Sequence, residues 1–225
     1  MQQGGRMDNE KLFYFFSKPR LDSYESIDEH FENLWLIGQI APKLGMIELI
    51  LRNLLDLEMK KRKSNWLQTC NDAKILQKIQ NLQSKAGGQL LHEQLLSNMS
   101  LGDVVRTINA EGVRGRIFSL QRFDFKKYDK SNHNRRLGIP KKPKFSNDDK
   151  AEIVLSLLTN IRNRAFHWEN LFKTRFLGDK AYPCITTRLG GTNIGIAPRH
   201  IEMFLDDILE TFDAELLVLA GGKKS

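Results

Sequence analysis

The stretch NDDKAEIVLSLLTNIRNRAFHWENL, residues 147–171, decides the fold. Asn147 is a residue type that caps helix N-termini, and two aspartates follow in the first turn, where negative charge is favourable. Apolar residues then recur at spacings that place them on one helix face: Ile153, Val154, Leu157, Leu158 and Ile161. The stretch predicts a long amphipathic helix with a polar cluster at its C-terminal end.

Similar periodicity predicts further helices over 22–39, from Pro42 to about Arg62, over 71–98 with a break at Gly87-Gly88, over 101–108, and from Pro198 to about Leu219. Pro42 disfavours helical geometry at the preceding residue, so the first two helices should form a hairpin or a kinked pair. We therefore predict an all-α fold, a mostly helical bundle, with a possible small β-hairpin near residues 185–196.

Length and composition indicate one domain spanning residues 1–225, with an ordinary soluble content of hydrophobic and charged residues. No run of 18–20 apolar residues predicts a membrane span, and no secretory signal begins the chain, so a cytoplasmic location is the default expectation. The two cysteines are far apart and the five histidines are scattered. We expect no disulfide, no metal site and no cofactor.

The formal charge is +8 and the pI is near 9.5, which makes a polyanionic partner plausible through contacts to phosphate. Positive charge is concentrated at about residues 126–146, which we predict to be an exposed basic loop without independent structure. Its candidate RNA contacts are Lys126, Lys127, Arg135, Arg136, Lys141 and Lys142. A solvated connector is the alternative interpretation of the same residues.

The polar cluster after the apolar face contains Arg162, Asn163 and His167. Asn163 and His167 are four residues apart, about 40° around a helix, so the amide could orient the imidazole. Arg162 is about 140° from His167, so one straight helix does not easily aim both at one phosphate. Two chains around a twofold axis could do so, which favours a homodimer.

Residues 162–167, Arg-Asn-Arg-Ala-Phe-His, resemble the RNxxxH signature of HEPN ribonucleases, and their surroundings resemble the Abi-like (AbiD/AbiF type) abortive-infection proteins. The resemblance extends to Ser17-Lys-Pro-Arg-Leu21, to Ile47-Glu-Leu-Ile-Leu-Arg-Asn53 and to Leu101-Gly102. These segments occur in the order that the family shows, and the resemblance covers most of the chain.

The resemblance implies a HEPN-like helical bundle, usually dimeric, and metal-independent cleavage of RNA in which the ribose 2′-hydroxyl attacks the adjacent phosphate. Arg162 and His167 would be catalytic, with Asn163 orienting His167. Glu48 and Arg52 could pair and line the same cleft, and Arg164 is a further cleft residue. Arg114 and Arg116 are candidate contacts to RNA phosphates.

The expected function is an endoribonuclease toxin of an abortive-infection or toxin-antitoxin system, whose partners are substrate RNA and a small inhibitory RNA. The alternative is a non-catalytic HEPN module that binds a structured RNA or a partner protein. A DNA-binding regulator ranks last, because no helix-turn-helix is evident. In a purely structural alternative, Arg162 and His167 cap a helix end and pair with Glu169, and Phe166 and Trp168 serve in core or dimer packing.

Overall fold

A computed structural model describes residues 8–221, and its fold is mostly helical. The helices are α1 (Asn9–Phe16), α2 (Lys18–Leu21), α3 (Ile27–Lys60), α4 (Ala73–Lys85), α5 (His92–Ser97), α6 (Leu101–Ala110), α7 (Arg114–Ile117), α8 (Asn147–Phe166), α9 (Ile201–Phe212) and α10 (Glu215–Leu219). Four short strands complete it: β1 (Thr174–Leu177), β2 (Lys180–Pro183), β3 (Thr186–Leu189) and β4 (Thr192–Gly195). The predicted mostly helical class and the hairpin near 185–196 are confirmed.

The core lies where α3 packs against α6, α7, α8 and α9. The residues that α3 buries recur every three or four positions: Ile37, Ile40, Leu44, Ile47, Leu51 and Leu55. Helix α8 contributes to the core the apolar face that was predicted from the sequence. Its five residues are each at most 1% exposed: Ile153, Val154, Leu157, Leu158 and Ile161. Helical periodicity thus identified the two faces that meet.

Helix α3 is continuous through Pro42, so the hairpin predicted at this proline is wrong and the two predicted segments form one helix. A proline inside a helix lacks a donor to the carbonyl four residues earlier, which here belongs to Gly38. Both residues are exposed, so water can satisfy that carbonyl. Burial of Ile37, Ile40 and Leu44 on the opposite side keeps the helix in register.

Helix α3 is also long and apolar enough to cross a membrane by length and composition alone. That is weak support for a span, because the core helix of a soluble protein passes the same test. Lys43, on α3, is 2% exposed and its ammonium lies 2.8 Å from Glu202 and 2.6 Å from Asp206 of α9. Burial would lower the pKa of Lys43, but its hydrogen bonds to the two carboxylates raise it overall. The helix is therefore compatible with a soluble protein.

Helix α8 begins one residue earlier than its sequence signal indicated. Its N-cap is Ser146, whose hydroxyl accepts from the Asp149 backbone N–H while Asp149 accepts from the Ser146 N–H at 2.9 Å. Asn147, expected as the cap, instead accepts from the Leu120 backbone N–H at 2.6 Å. It also donates to the Phe118 carbonyl at 2.8 Å. The reciprocal bonds between Ser146 and Asp149 form a capping box, which satisfies two backbone N–H donors at the helix N-terminus.

The basic segment, residues 126–146, consists mostly of exposed loop and turn, and hydrogen bonds attach it to the rest of the protein. The buried Asn132 side chain donates to the Gly195 carbonyl at 2.7 Å and accepts from the Gly195 N–H at 2.8 Å. Arg135 and Lys144 form an antiparallel bridge. Side chains of the segment remain largely exposed.

Close backbone approach fastens the same segment to the β3–β4 turn. The Gly138 N–H donates to the Gly190 carbonyl at 2.8 Å. A Cβ on Gly191, whose φ is +79°, would lie 2.5 Å from the Gly138 Cα. Only glycine satisfies both constraints at position 191, which are the close contact with Gly138 and the left-handed backbone.

Two features of the second half of the chain were not predicted. The antiparallel hairpin β1–β2 turns at Gly178-Asp179, a two-residue connection of the kind that hairpins favour. The predicted C-terminal helix is interrupted at Asp213, which has extended backbone angles and separates α9 from α10. Residues 1–7 and 222–225, which the single-domain prediction includes, lie outside the described residues.

Asp149→Asn should lower the free energy of unfolding at pH 7 by roughly 1–3 kcal/mol, because the Asp149 carboxylate accepts charge-assisted hydrogen bonds from Arg136 as well as Ser146. Burial raises the pKa of Asp149, but the hydrogen bonds from Arg136 and Ser146 lower it overall. Such a carboxylate stabilises the fold above the unfolded-state pKa of about 3.9 and loses this effect as pH falls through the folded-state pKa. Urea unfolding at pH 7 and pH 2 should show the difference between wild type and variant shrinking in acid.

Asp148→Asn is the matched control for this measurement. Asp148 lies on the same helical turn, but its side chain is 50% exposed and its contact is an ion pair with Arg114 at 2.9 Å. The control should change the free energy of unfolding by less than about 1 kcal/mol. Equal effects of the two substitutions would contradict the role assigned to Asp149.

Candidate functional site

The C-terminal end of α8 carries the polar cluster, and it closes in a Schellman motif. Phe166 is the last helical residue and His167 is the C-cap. The Trp168 N–H donates to the Ala165 carbonyl at 3.0 Å and the Glu169 N–H to the Arg164 carbonyl at 2.8 Å. Trp168 has φ +56°, a left-handed conformation that this motif usually gives to glycine. His167 is therefore held beside a strained aromatic residue at the helix end.

Contacts from the N-terminal part of the chain fix the residues that follow His167. Arg20 donates to the Trp168 carbonyl. Asn33 of α3, which is fully buried, donates to the Glu169 carbonyl at 3.1 Å and accepts from the Leu171 N–H at 2.8 Å. This set of contacts determines where the chain leaves α8, and hence where His167 projects.

Arg162 contacts the glutamate that the resemblance pointed to. The Arg162 Nε lies 3.5 Å from Glu48 Oε2, and its Cζ lies 5.1 Å from the centre of the Phe166 ring. Glu48 Oε1 accepts from the Leu101 N–H at 3.0 Å, at the N-terminus of α6. Glu48 is thus oriented by a helix end, where an anion is favourable, and it presents its second oxygen to Arg162.

The pairing expected between Glu48 and Arg52 is not present. Arg52 instead donates to the Ser97 carbonyl at 3.3 Å. Glu48 and Arg52 are one helical turn apart, which brings their side chains near each other. Glu48 instead pairs with Arg162 of α8, and the sequence of α3 alone does not show that this residue lies close. The segments Ile47–Asn53, Leu101–Gly102 and 162–167, named separately in the sequence, do meet at the Glu48 side chain.

Asn163 and His167 point outward at the end of α8. Both residues are exposed, and within residues 8–221 neither the amide nor the imidazole has a hydrogen-bond partner. The expected bond between the two side chains is therefore absent; the contact between these residues is the His167 N–H to Asn163 carbonyl bond at 3.0 Å. The imidazole is accessible to a ligand.

The structural alternative for this cluster is only partly met. His167 does occupy the C-cap, but within residues 8–221 neither Arg162 nor His167 pairs with the Glu169 carboxylate. Phe166 and Trp168 are 48% and 51% exposed, so they are not core residues. The cluster leaves two aromatic side chains and one imidazole at the surface.

The other candidate arginines have protein partners. Arg164 donates to the Asn170 carbonyl at 3.2 Å. Arg114 pairs with Asp148 and Glu152, Arg116 with Glu58, and Arg136 with Asp149. Carboxylates distant in the sequence therefore occupy guanidinium groups that were predicted to contact RNA.

The candidate lysines other than Lys127, together with Arg135, differ from this set. Lys127 pairs with Asp207 at 3.2 Å. Lys126, Arg135, Lys141 and Lys142 are exposed and have no ion pair among residues 8–221. The basic segment thus carries four exposed cations without an ion pair among the described residues.

Sequence reasoning missed His30, which lies on α3 one turn before Asn33. It is fully buried among the rings of Phe16, Tyr24 and Phe31, with centroid separations of 4.9–5.3 Å. Neither ring nitrogen has a hydrogen bond. Burial, and secondarily the charge of Arg20, lowers the pKa of His30, so the ring is neutral at neutral pH. In the sequence, the aromatic residues close to His30 were the signal that could have indicated its burial.

Among residues 8–221, no group of three or more His, Cys, Asp or Glu side chains is arranged to hold a metal ion. Comparison of the chain with family models, with curated proteins and with solved structures gave no match. The functional argument therefore depends on the geometry at the end of α8 and on the sequence motif that it carries.

Asn33→Ala should lower the free energy of unfolding by roughly 2–4 kcal/mol, because it leaves the buried Leu171 N–H and Glu169 carbonyl without their partner. Urea unfolding followed by tryptophan fluorescence measures this. Asn53→Ala, at an exposed position of the same helix, is the control and should change stability by less than about 0.5 kcal/mol. A loss for Asn33→Ala no larger than that for the control would refute the role of Asn33.

Proposed function

We propose that the protein is a metal-independent endoribonuclease of the HEPN type that acts at the C-terminal end of α8. The observation that carries the proposal is the exposed His167 imidazole, without a protein partner among residues 8–221, five residues after an arginine that forms an ion pair with Glu48. The RNxxxH resemblance of residues 162–167 and the charge of +8 also support it. A polyanion would be drawn to such a surface.

In the proposed reaction, His167 removes the proton from a ribose 2′-hydroxyl, whose oxygen attacks the adjacent phosphorus. The bond between phosphorus and the 5′-oxygen breaks, and that oxygen leaves with the proton that His167 took from the 2′-hydroxyl. A 2′,3′-cyclic phosphate and a 5′-hydroxyl result. A histidine can exchange protons near neutral pH, and the Arg162 guanidinium would stabilise charge on the phosphorane.

Glu48 would be a positioning residue in this reaction. Its carboxylate lies 3.5 Å from the Arg162 Nε, an ion pair without a hydrogen bond, and the Phe166 ring centre lies 5.1 Å from the Arg162 Cζ. Holding a flexible arginine before the substrate arrives reduces the entropy lost when it contacts phosphate. The Leu101 N–H in turn holds Glu48.

A homodimer is part of the proposal. Arg162 turns toward α3 while His167 lies at the helix cap, about 140° away around α8. A twofold axis near the end of α8 would bring Arg162 of one chain toward His167 of its partner. The exposed Phe166 and Trp168 rings beside the cluster would provide apolar surface for that contact.

We further propose that the protein works in the cytoplasm as an abortive-infection or toxin-antitoxin toxin, cleaving cellular RNA and restrained by a small RNA. The family resemblance and the exposed cations of the basic segment support this part of the proposal. No small-molecule cofactor enters the proposed reaction.

His167→Ala should reduce RNA cleavage by at least about a hundredfold, because it removes the general base and acid. Purified wild type and variant are incubated with total RNA in EDTA, and fragment ends are mapped for cyclic phosphate. Arg162→Ala should show a loss of similar size, whereas Arg122→Ala, at an exposed position without an ion pair among residues 8–221, should cleave like wild type. A fully active His167→Ala protein with a normal unfolding curve would refute the proposal.

Mixing two inactive variants tests the shared site. In a heterodimer of Arg162→Ala with His167→Ala, an intact Arg162 and an intact His167 come from different chains. Co-expression with two affinity tags should yield heterodimers that recover between about a tenth and a half of wild-type cleavage. The maximum is about half because one of the two shared sites lacks both residues. Inactive heterodimers alongside active wild type would mean that both residues act within one chain.

A non-catalytic RNA-binding protein is the second candidate, and one observation favours it. Glu48 neutralises the guanidinium of Arg162, which weakens its attraction for phosphate. Under this alternative, wild type does not cleave RNA, and His167→Ala binds RNA with unchanged affinity. Cleavage by wild type alone would exclude it.

A further inference from the structure

A cavity of about 430 Å³ lies between the basic segment and the two β-hairpins. Residues 131–133 and Leu137 form one wall, the β1–β2 hairpin a second, and the β3–β4 hairpin a third. This volume is in the range of small-ligand sites. None of its lining residues belongs to the polar cluster at the end of α8.

The cavity contains cationic and polar side chains but no carboxylate. Its lining has no Asp or Glu, although Arg175 and His133 are both present. Among residues 8–221, the side chains of Arg175, His133 and Asn193 have no hydrogen-bond or ion-pair partner. In contrast, the cavity of about 520 Å³ beside α3 is lined by Asp28, Glu32 and Glu202. Unpaired donors without acids nearby favour an anionic ligand.

Arg175 and Tyr182 both line the cavity. They are directly opposite each other in the β1–β2 ladder, so their side chains stand on the same face of the hairpin. That face contributes to the cavity. An aromatic ring beside a guanidinium provides a surface for a nucleobase next to a donor for its phosphate.

Two other lining residues, Asn132 and Thr192, are held by hydrogen bonds. The Asn132 side chain is 1% exposed and bonds to the Phe125 carbonyl as well as to both peptide groups of Gly195. The Thr192 hydroxyl donates to the Arg135 carbonyl at 2.6 Å and accepts from the Leu137 N–H at 2.8 Å. A ligand would therefore meet a preformed cavity, which lowers the entropy lost on binding.

Strand β3 separates this cavity from α8. The Thr187 hydroxyl hydrogen-bonds to Ser156 of α8 at 2.8 Å, while its neighbour Thr186 lines the cavity. Successive side chains of a strand point to opposite faces, so the cavity and α8 lie on opposite sides of the hairpin. Binding in the cavity and chemistry at His167 can therefore be altered separately.

We propose that this cavity binds one unpaired nucleotide of a single-stranded RNA, with the base against Tyr182 and its phosphate on Arg175 and His133. The inference rests on the proposed function in taking RNA as the ligand, and it adds a second contact site remote from His167. The exposed Arg135, Lys141 and Lys142 of the adjacent basic segment would contact phosphates on either side of that nucleotide. Stacking needs a free base, so duplex RNA would be a poor ligand.

The test is fluorescence anisotropy of a 5′-labelled 12-nucleotide uridine RNA titrated with the full chain carrying His167→Ala, which prevents cleavage during the titration. Arg175→Ala and Tyr182→Ala should each weaken binding about tenfold, whereas Tyr182→Phe, which keeps the ring, should stay within about twofold. Arg122→Ala is the matched control for loss of one positive charge and should also stay within about twofold. An adenosine-uridine duplex of equal length should bind at least about tenfold more weakly than the single strand.

Equal affinities for the Arg175→Ala, Tyr182→Ala and Arg122→Ala proteins would overturn the inference, as would absence of RNA binding or equal binding of the duplex. If wild type cleaves RNA but Arg175 and Tyr182 do not affect binding, the cavity proposal fails and the proposed nuclease stands. If binding depends on Arg175 and Tyr182 but wild type never cleaves, the nuclease fails and the cavity proposal stands.

Discussion

The peptide groups at both ends of a buried helix need hydrogen-bond partners. In this protein, the partners at the two ends of α8 connect that helix to the basic segment and to α3. At the N-terminus, Ser146 and Asp149 cap the helix, and Arg136 brings the basic segment to that same carboxylate. At the C-terminus, Asn33 of α3 hydrogen-bonds to Glu169 and Leu171 at the end of the Schellman motif. Because each partner comes from a different part of the sequence, the caps of one helix connect most of the fold.

The distribution of positive charge follows from the same packing. Arg114, Arg116 and Arg136 are paired with carboxylates. Exposed cations without such partners among residues 8–221 include Lys126, Arg135, Lys141 and Lys142 of the basic segment and Arg175 of the first hairpin. Net charge states how much positive charge the chain carries, whereas folding determines which of those groups remain free for a ligand. The surface beside the hairpins is therefore a stronger candidate for phosphate contacts than α7.

Two kinds of prediction from sequence behaved differently. Helices with a strong apolar period, such as α6 and α8, were placed to within a few residues, because periodicity reports directly which side is buried. Local breaking signals were less dependable. Pro42 did not end α3, since burial of its flanking apolar residues outweighs one missing hydrogen bond, whereas Asp213 ended α9 without any proline or glycine.

The sequence by itself determined the helical class, the apolar faces of α3 and α8, the position of the second hairpin and the presence of Arg162, Asn163 and His167 at one helix end. Only the tertiary structure decided that Glu48 pairs with Arg162 rather than with Arg52, that Asn163 leaves His167 unbonded, and that Arg175 and Tyr182 share a cavity with His133. The physical reason is the range of the interactions. Helical periodicity and caps depend on neighbours within about four residues, whereas ion pairs and cavity walls depend on which distant segments meet once the core has formed.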